Sequence, residues 1–177
     1  MTLRRIAVAA PIAIGLVLIA LGFLLPGGER LIRENLPLET HVTVLAPGDD
    51  GTILVATQAG EIWRFDGAGW EQEDAGLDGR LVLALRGEPG DHAIGTASGL
   101  VSPSGLAPPL GNPRVSDVLE TAEAGLLAAT PEGLWVHADD TWHRPLSGVP
   151  LYRLVEQRRD GRIHLHAATI GEGVYSA

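Results

Sequence analysis

The chain has 177 residues, enough for one domain with a short appendage. It contains no cysteine, which excludes disulfide frameworks, thiolate zinc sites and cysteine nucleophiles. The net charge is −9, and from residue 26 onwards 11 arginines stand against 22 acids; such a surface repels phosphate backbones, so nucleic acid is not an expected partner, while a basic protein is compatible.

Residues 6–25, IAVAAPIAIGLVLIALGFLL, form a run of twenty without a charge. As a helix it would extend roughly 30 Å, the thickness of a bilayer's hydrocarbon core. Pro26, Gly27 and Gly28 end it sharply. A cleaved signal peptide is the competing reading, with Ala20-Leu21-Gly22 as the cleavage site. The apolar run continues through Phe23, Leu24 and Leu25 beyond that site, which favours an uncleaved transmembrane anchor. Arg4 and Arg5 precede the span, and Arg30 and Arg33 follow it beside Glu29 and Glu34. The resulting expectation is a single-pass protein of a bacterial inner membrane, with its N-terminus cytoplasmic and its C-terminal domain periplasmic. Residues 26–40 read as a juxtamembrane connector, and residues 41–177 as the domain.

The remainder repeats itself. GTILVAT (51–57), GDHAIGT (90–96), GLLAAT (125–130) and GRIHLHAAT (161–169) each end on threonine, and a glycine turn follows each. Thr57, Thr96, Thr130 and Thr169 are spaced 39, 34 and 39 apart. An apolar run precedes each: HVTVLA, RLVLAL, RVSDVLE and LYRLVE. Each repeat therefore reads as strand, turn, strand ending in threonine, tight turn, strand, with a fourth strand beginning near Trp70 and near Trp142. Gly60, Gly99 and Gly133 fall where the turn needs positive φ. Small residues on the second strand (Ala56, Gly95, Ala128, Ala129, Ala167, Ala168) suit sheets that crowd toward an axis. The expected fold is all-β, a small β-propeller-like domain of about four blades after one N-terminal transmembrane helix.

DGTILVAT, AGEIWRFDG and GLLAAT with GLWVHADDTW resemble the propeller repeats of bacterial two-component sensor proteins and the blade repeats of photosystem II assembly-factor-like propellers. The resemblance covers residues 41–177 and concerns blade construction. Rings of that kind usually hold six to eight blades, and this chain has residues for four. The fourth repeat stops after its third strand. Either residues 35–40 supply the missing outer strand, or the domain is an open arc completed by a partner chain.

Candidate chemistry is sparse. His164 and His166 alternate on one strand and share a face, a metal-ligating pair in need of a third ligand that does not declare itself. Trp63, Trp70, Trp135 and Trp142 come in equivalent pairs and read as packing between blades. Gln58, Ser98, Glu132 and Glu172 sit in the turns; Glu132 and Glu172 form an acid–base pair only if the fold unites them. Asp139-Asp140 and Arg158-Arg159-Asp160 fit turns. Residues 103–113, PSGLAPPLGNP, replace an outer strand with a loop. No catalytic residue, cofactor-binding residue or metal site is assigned, and no cofactor is expected. The expected function is that of a non-catalytic accessory subunit or assembly factor of an integral membrane complex, with a photosynthetic or respiratory host implied by the resemblance. The alternative is an extracytoplasmic sensor or ligand-binding domain.

The anchor reading has a direct check. Intact-mass measurement on the purified protein is expected to show residues 6–25 retained; a mature chain beginning near Phe23 overturns the anchor.

Overall fold

The computed structural model describes residues 36, 40–48, 51–87, 93–102, 105–106, 108–109 and 111–177. The expected membrane span, most of the connector and most of the closing strand expected at residues 35–40 lie outside them. The described residues contain strands and turns and no helix.

The strands form four antiparallel sheets, each a meander in chain order. The first holds β1 (Val42–Pro47), β2 (Ile53–Thr57), β3 (Ile62–Phe65) and β4 (Trp70–Glu73). The second holds β5 (Val82–Ala84), β6 (Ile94–Thr96) and β7 (Gly99–Val101). The third holds β8 (Asp117–Thr121), β9 (Gly125–Thr130), β10 (Gly133–Ala138) and β11 (Thr141–Ser147). The fourth holds β12 (Leu151–Arg159), β13 (Arg162–Thr169) and β14 (Val174–Ser176). The four threonines end β2, β6, β9 and β13, which are equivalent places in successive sheets.

The threonine works as a turn clasp. The hydroxyls of Thr96, Thr130 and Thr169 donate to the carbonyls of Gly99 (2.7 Å), Gly133 (2.9 Å) and Gly173 (2.9 Å). Thr57 instead donates to the Glu61 carboxylate at 3.2 Å and accepts from the Glu61 amide at 3.3 Å. Two-residue hairpin turns need positive φ at both central positions when they match the twist of the strands. Asp139 (φ 49) and Asp140 (φ 57) supply this between β10 and β11, and Asp160 (φ 53) and Gly161 (φ 72) between β12 and β13.

Each sheet packs face to face on the next. The core between the first and second sheets includes Leu54, Ala56, Ile62, Val82 and Ile94. The core between the second and third includes Ala93, Leu100, Val115, Leu126 and Trp135. The core between the third and fourth includes Leu127, Ala129, Leu151, Leu154 and Ala167. Small residues make the approach possible. At Gly95 an added Cβ would stand 2.8 Å from the Val115 carbonyl oxygen and 3.1 Å from the Ala84 Cβ. Among the described residues three cores serve four sheets, and no core joins the fourth sheet to the first. The arrangement is compatible with a propeller-like domain whose ring is not closed.

One buried charge ties three of the sheets together. Asp117, 1% exposed, opens β8. Its carboxylate accepts from Arg86 beyond β5 at 3.0 Å and from the Leu154 amide of β12 at 2.8 Å. It also accepts from the Val118 amide at 3.0 Å, and the Arg153 guanidinium stands 3.7 Å away. Arg86 closes the loop by donating to the Leu154 carbonyl at 3.0 Å. Removing the carboxylate leaves the buried Leu154 amide without its acceptor, while the Arg86 and Arg153 guanidiniums keep access to solvent. Asp117→Ala is therefore expected to lower stability by about 1–3 kcal/mol in urea unfolding; a change within about 0.5 kcal/mol, the range of ordinary surface substitutions, contradicts this role.

Candidate binding groove between the third and fourth sheets

The third sheet has four strands and the fourth has three. Where an outer fourth strand would lie, an open groove of about 330 Å³ runs between the two sheets. Leu134, Val136 and Leu146 of the third sheet form one wall, and Leu165, Tyr175 and Ala177 of the fourth form the other. Its lining is overwhelmingly apolar, with His166, Tyr175 and Ser176 as its polar members, so it suits aliphatic or aromatic groups.

The strand beside the groove has a free edge. β14 pairs with β13 through the bonds Thr169 N–H to Gly173 C=O, Leu165 N–H to Ala177 C=O and Ala177 N–H to Leu165 C=O. In an antiparallel ladder these alternate with outward-facing groups, so the amides and carbonyls of Val174 and Ser176 point away from β13. Among the described residues no strand pairs with that edge.

Tyr175 frames the opening, 41% exposed. Its hydroxyl donates to the Glu172 carboxylate at 3.1 Å. That hydrogen bond, with the nearby negative charge, raises the phenol above its ordinary value. In the turn between β3 and β4 the Asp66 carboxyl is lowered because it accepts from the amides of Ala68 and Gly69.

The histidine pair lies on the same sheet as the groove. His164 and His166 share the face of β13 turned away from the third sheet, as their alternation predicts, because Leu165 and Ala167 between them pack onto that sheet. His166 meets Ser176 Oγ at 2.8 Å through Nδ1 and Gln157 Oε1 at 3.2 Å through Nε2, a polar ladder across β12, β13 and β14. Among the described residues no three potential metal ligands converge.

The other residues singled out from sequence fall as follows. Glu132 is exposed in the β9–β10 turn, where its carbonyl oxygen accepts from Arg144 and from the Gly148 amide. Glu172 serves Tyr175, so each of the two carboxylates is placed within its own sheet's turn. Gln58 and Ser98 stand exposed at their turns. Trp135 is buried at 6% exposure in the core between the second and third sheets, with Trp142 edge-on at 6.4 Å and Arg144 over its ring at 5.3 Å. Trp63 and Trp70 occupy the face of the first sheet turned away from the second, since their register partners Val55 and Phe65 lie there and not with Leu54 and Ala56. In the loop at 103–113, Leu106 packs against the core between the second and third sheets.

A second hollow of about 400 Å³ by the first sheet gathers Glu61, Glu73, Asp74 and Asp78. Glu73 is paired with Arg64 and Glu61 with Thr57, and Asp74 caps the Gly76 amide. Those bonds account for three of its four acids structurally.

No protein-family model and no curated protein matches this chain.

Tyr175 gives the groove a spectroscopic reporter, because the chain has only two tyrosines. In a Tyr152→Phe background, ultraviolet titration is expected to show Tyr175 ionising above pH 10.0, the ordinary value. Glu172→Gln removes the charge and is expected to bring the transition down toward that value. The folded-state value is raised, so the contribution is present below the unfolded value and is lost as the pH climbs through the folded one.

Proposed function

We propose that the chain is a membrane-tethered, non-catalytic binding protein of propeller-like build, an accessory or assembly factor for an integral membrane complex. The observation that carries the reading is the free edge of β14 beside an apolar groove. An extended segment of a partner protein can add to that edge as a fourth strand: backbone hydrogen bonds supply the affinity, and alternate side chains enter the groove and supply selectivity. The hydrophobic run at residues 6–25 supports a tether in a bacterial inner membrane, with the domain on the periplasmic side. A tether raises the effective concentration of the domain near an integral partner. The resemblance of the repeats to assembly-factor-like propellers supports a photosynthetic or respiratory host.

Reading the site as non-catalytic rests on how its polar groups are used. Catalysis needs converging groups with matched proton affinities. Here His166 serves Ser176 and Gln157, Glu172 serves Tyr175, and Asp117 serves Arg86 and Leu154. A second reading, a sensor or ligand-binding domain, is favoured by the groove volume, which falls within the range of small-molecule pockets.

Detergent-solubilised capture of the full chain followed by mass spectrometry is expected to recover a stoichiometric integral membrane partner. Tyr175→Asp, placed at an exposed groove position, is expected to reduce that recovery about tenfold by bringing a charge against apolar side chains. Recovery without a protein partner but with a bound small apolar molecule establishes the second reading instead.

A further inference from the structure

The arc ends on two sheet faces that are built like the halves of one of its own joints. In the joint between the second and third sheets, the third sheet offers Leu126, Ala128, Trp135, His137 and Trp142 on its leading face. Counting back from the threonine that ends the second strand, Ile53 stands where Leu126 stands, and Val55 where Ala128 stands. The register partners follow: Val55 pairs with Trp63 as Ala128 pairs with Trp135, and Ile53 pairs with Phe65 as Leu126 pairs with His137. The outer ring contact is repeated too. Phe65 and Trp70 lie 4.9 Å apart between centroids, and His137 and Trp142 lie 5.1 Å apart. The first sheet thus carries the tryptophan pair that seals an internal joint, on a face with no sheet against it among the described residues. The difference shows at the rim and not at the centre: Val55 is 4% exposed, but where Leu126 is 8% exposed, Ile53 is 41% and Leu45 is 61% exposed.

The fourth sheet ends on the matching half. The trailing face of the second sheet, which receives Trp135, presents Ala93, Gly95 and Leu100. By the same count from the threonine, the trailing face of the fourth sheet presents His166, Ala168 and Val174. Ala168 pairs with Val174 as Gly95 pairs with Leu100. Val174 is 65% exposed and Val155 on the same face is 50% exposed. Charge points the same way. Residues 42–80 carry eight acids and two arginines, a net −6, whereas residues 151–177 carry four arginines and three acids, a net +1. The leading end is acidic, and the trailing end is not.

We propose that a second copy of this chain covers both end faces, head to tail, so that two four-sheet arcs build one ring of eight sheets. Trp63 of each copy then packs on Ala168 and Val174 of the other, as Trp135 packs within a chain. Two copies related by a twofold axis along the ring close the assembly without leaving a free face, and eight sheets fall within the range of known rings. The twofold axis also sets both copies of residue 41 at the same end of the ring, so two tethers can enter one membrane. This surface is the face of the fourth sheet and not its β14 edge, so the proposal stands independently of the partner strand proposed above.

The absence of cysteine from the chain makes the test clean. Full-length chains carrying Ile53→Cys are mixed with chains carrying Val174→Cys in mild detergent and treated with a short bis-maleimide. A cross-linked species of twice the 18.6 kDa chain mass is expected in the mixture and in neither variant alone. Light scattering of the unmodified protein is expected to give a protein mass of two chains. Val174→Glu sets a carboxylate against Trp63 and the acidic end, and is expected to weaken the dimer about tenfold with the circular dichroism spectrum unchanged. A monomeric mass, linkage within the Ile53→Cys variant alone, an Ile53→Cys thiol that never couples to Val174→Cys, or assemblies beyond two chains each overturn the proposal.

Discussion

At Asp117 the second, third and fourth sheets meet in a single hydrogen-bonded group. A carboxylate this deep is costly to desolvate, and its burial is tolerable only because several donors converge on it. Two of those donors lie outside its own sheet, Arg86 before it and the Leu154 amide after it. The geometry is therefore demanding: the start of β8, the segment after β5 and the middle of β12 must arrive together. Apolar faces alone could slide by a residue along the strands. A charged acceptor with fixed donors penalises every register but one, a role for which buried polar groups are well suited in packed interiors. The first sheet has no share in this group, and it meets the second through an apolar core.

That division shapes the arc. Sheets that stack in series derive most of their stability from the interface with each neighbour, and the two terminal sheets have one neighbour each. The third joint is supported by both an apolar core and the Asp117 group, which secures the fourth sheet although its outer strand β14 spans only Val174–Ser176. The groove exists because that sheet is securely docked yet one strand short. A sheet that peeled away would lose the wall formed by Leu165 and Ala167, and the groove with it.

Much of the fold was legible because its signals are local. The threonine clasp spans three or four residues, the positive-φ turns are written in aspartate and glycine, and the strand lengths follow from the apolar runs between them. The repeat spacing then gave four sheets and identified the two that carry a fourth strand. The site was hardly legible, for a physical reason. Asp117 reaches partners 31 and 37 residues away, and in the sequence it is one acid within RVSDVLE. The groove is a relation between two sheets that no single strand encodes. The tryptophan pairs are equivalent in sequence, but equivalence cannot say which face is covered. Only packing shows that Trp135 lies within a joint while Trp63 stands at the end of the arc.

His166 marks how the trailing face departs from the interior pattern. Three residues before the closing threonine the other sheets place Leu54, Ala93 and Leu127, all packed into joints. The fourth sheet places an imidazole there and supplies it with Ser176 and Gln157 from the adjoining strands. A face meant for solvent alone would not need Val155, Ala168 and Val174 around that ring, and a face meant for an apolar joint would not need the ring. The combination is that of an interface assembled from separately folded parts, with an apolar centre for contact and satisfied polar groups that keep the free face soluble. A terminal sheet built this way can exist alone and still accept a neighbour. The leading face reaches the same compromise differently: its tryptophans are half-buried, Val55 is buried, and Leu45 and Ile53 stand largely free at the rim.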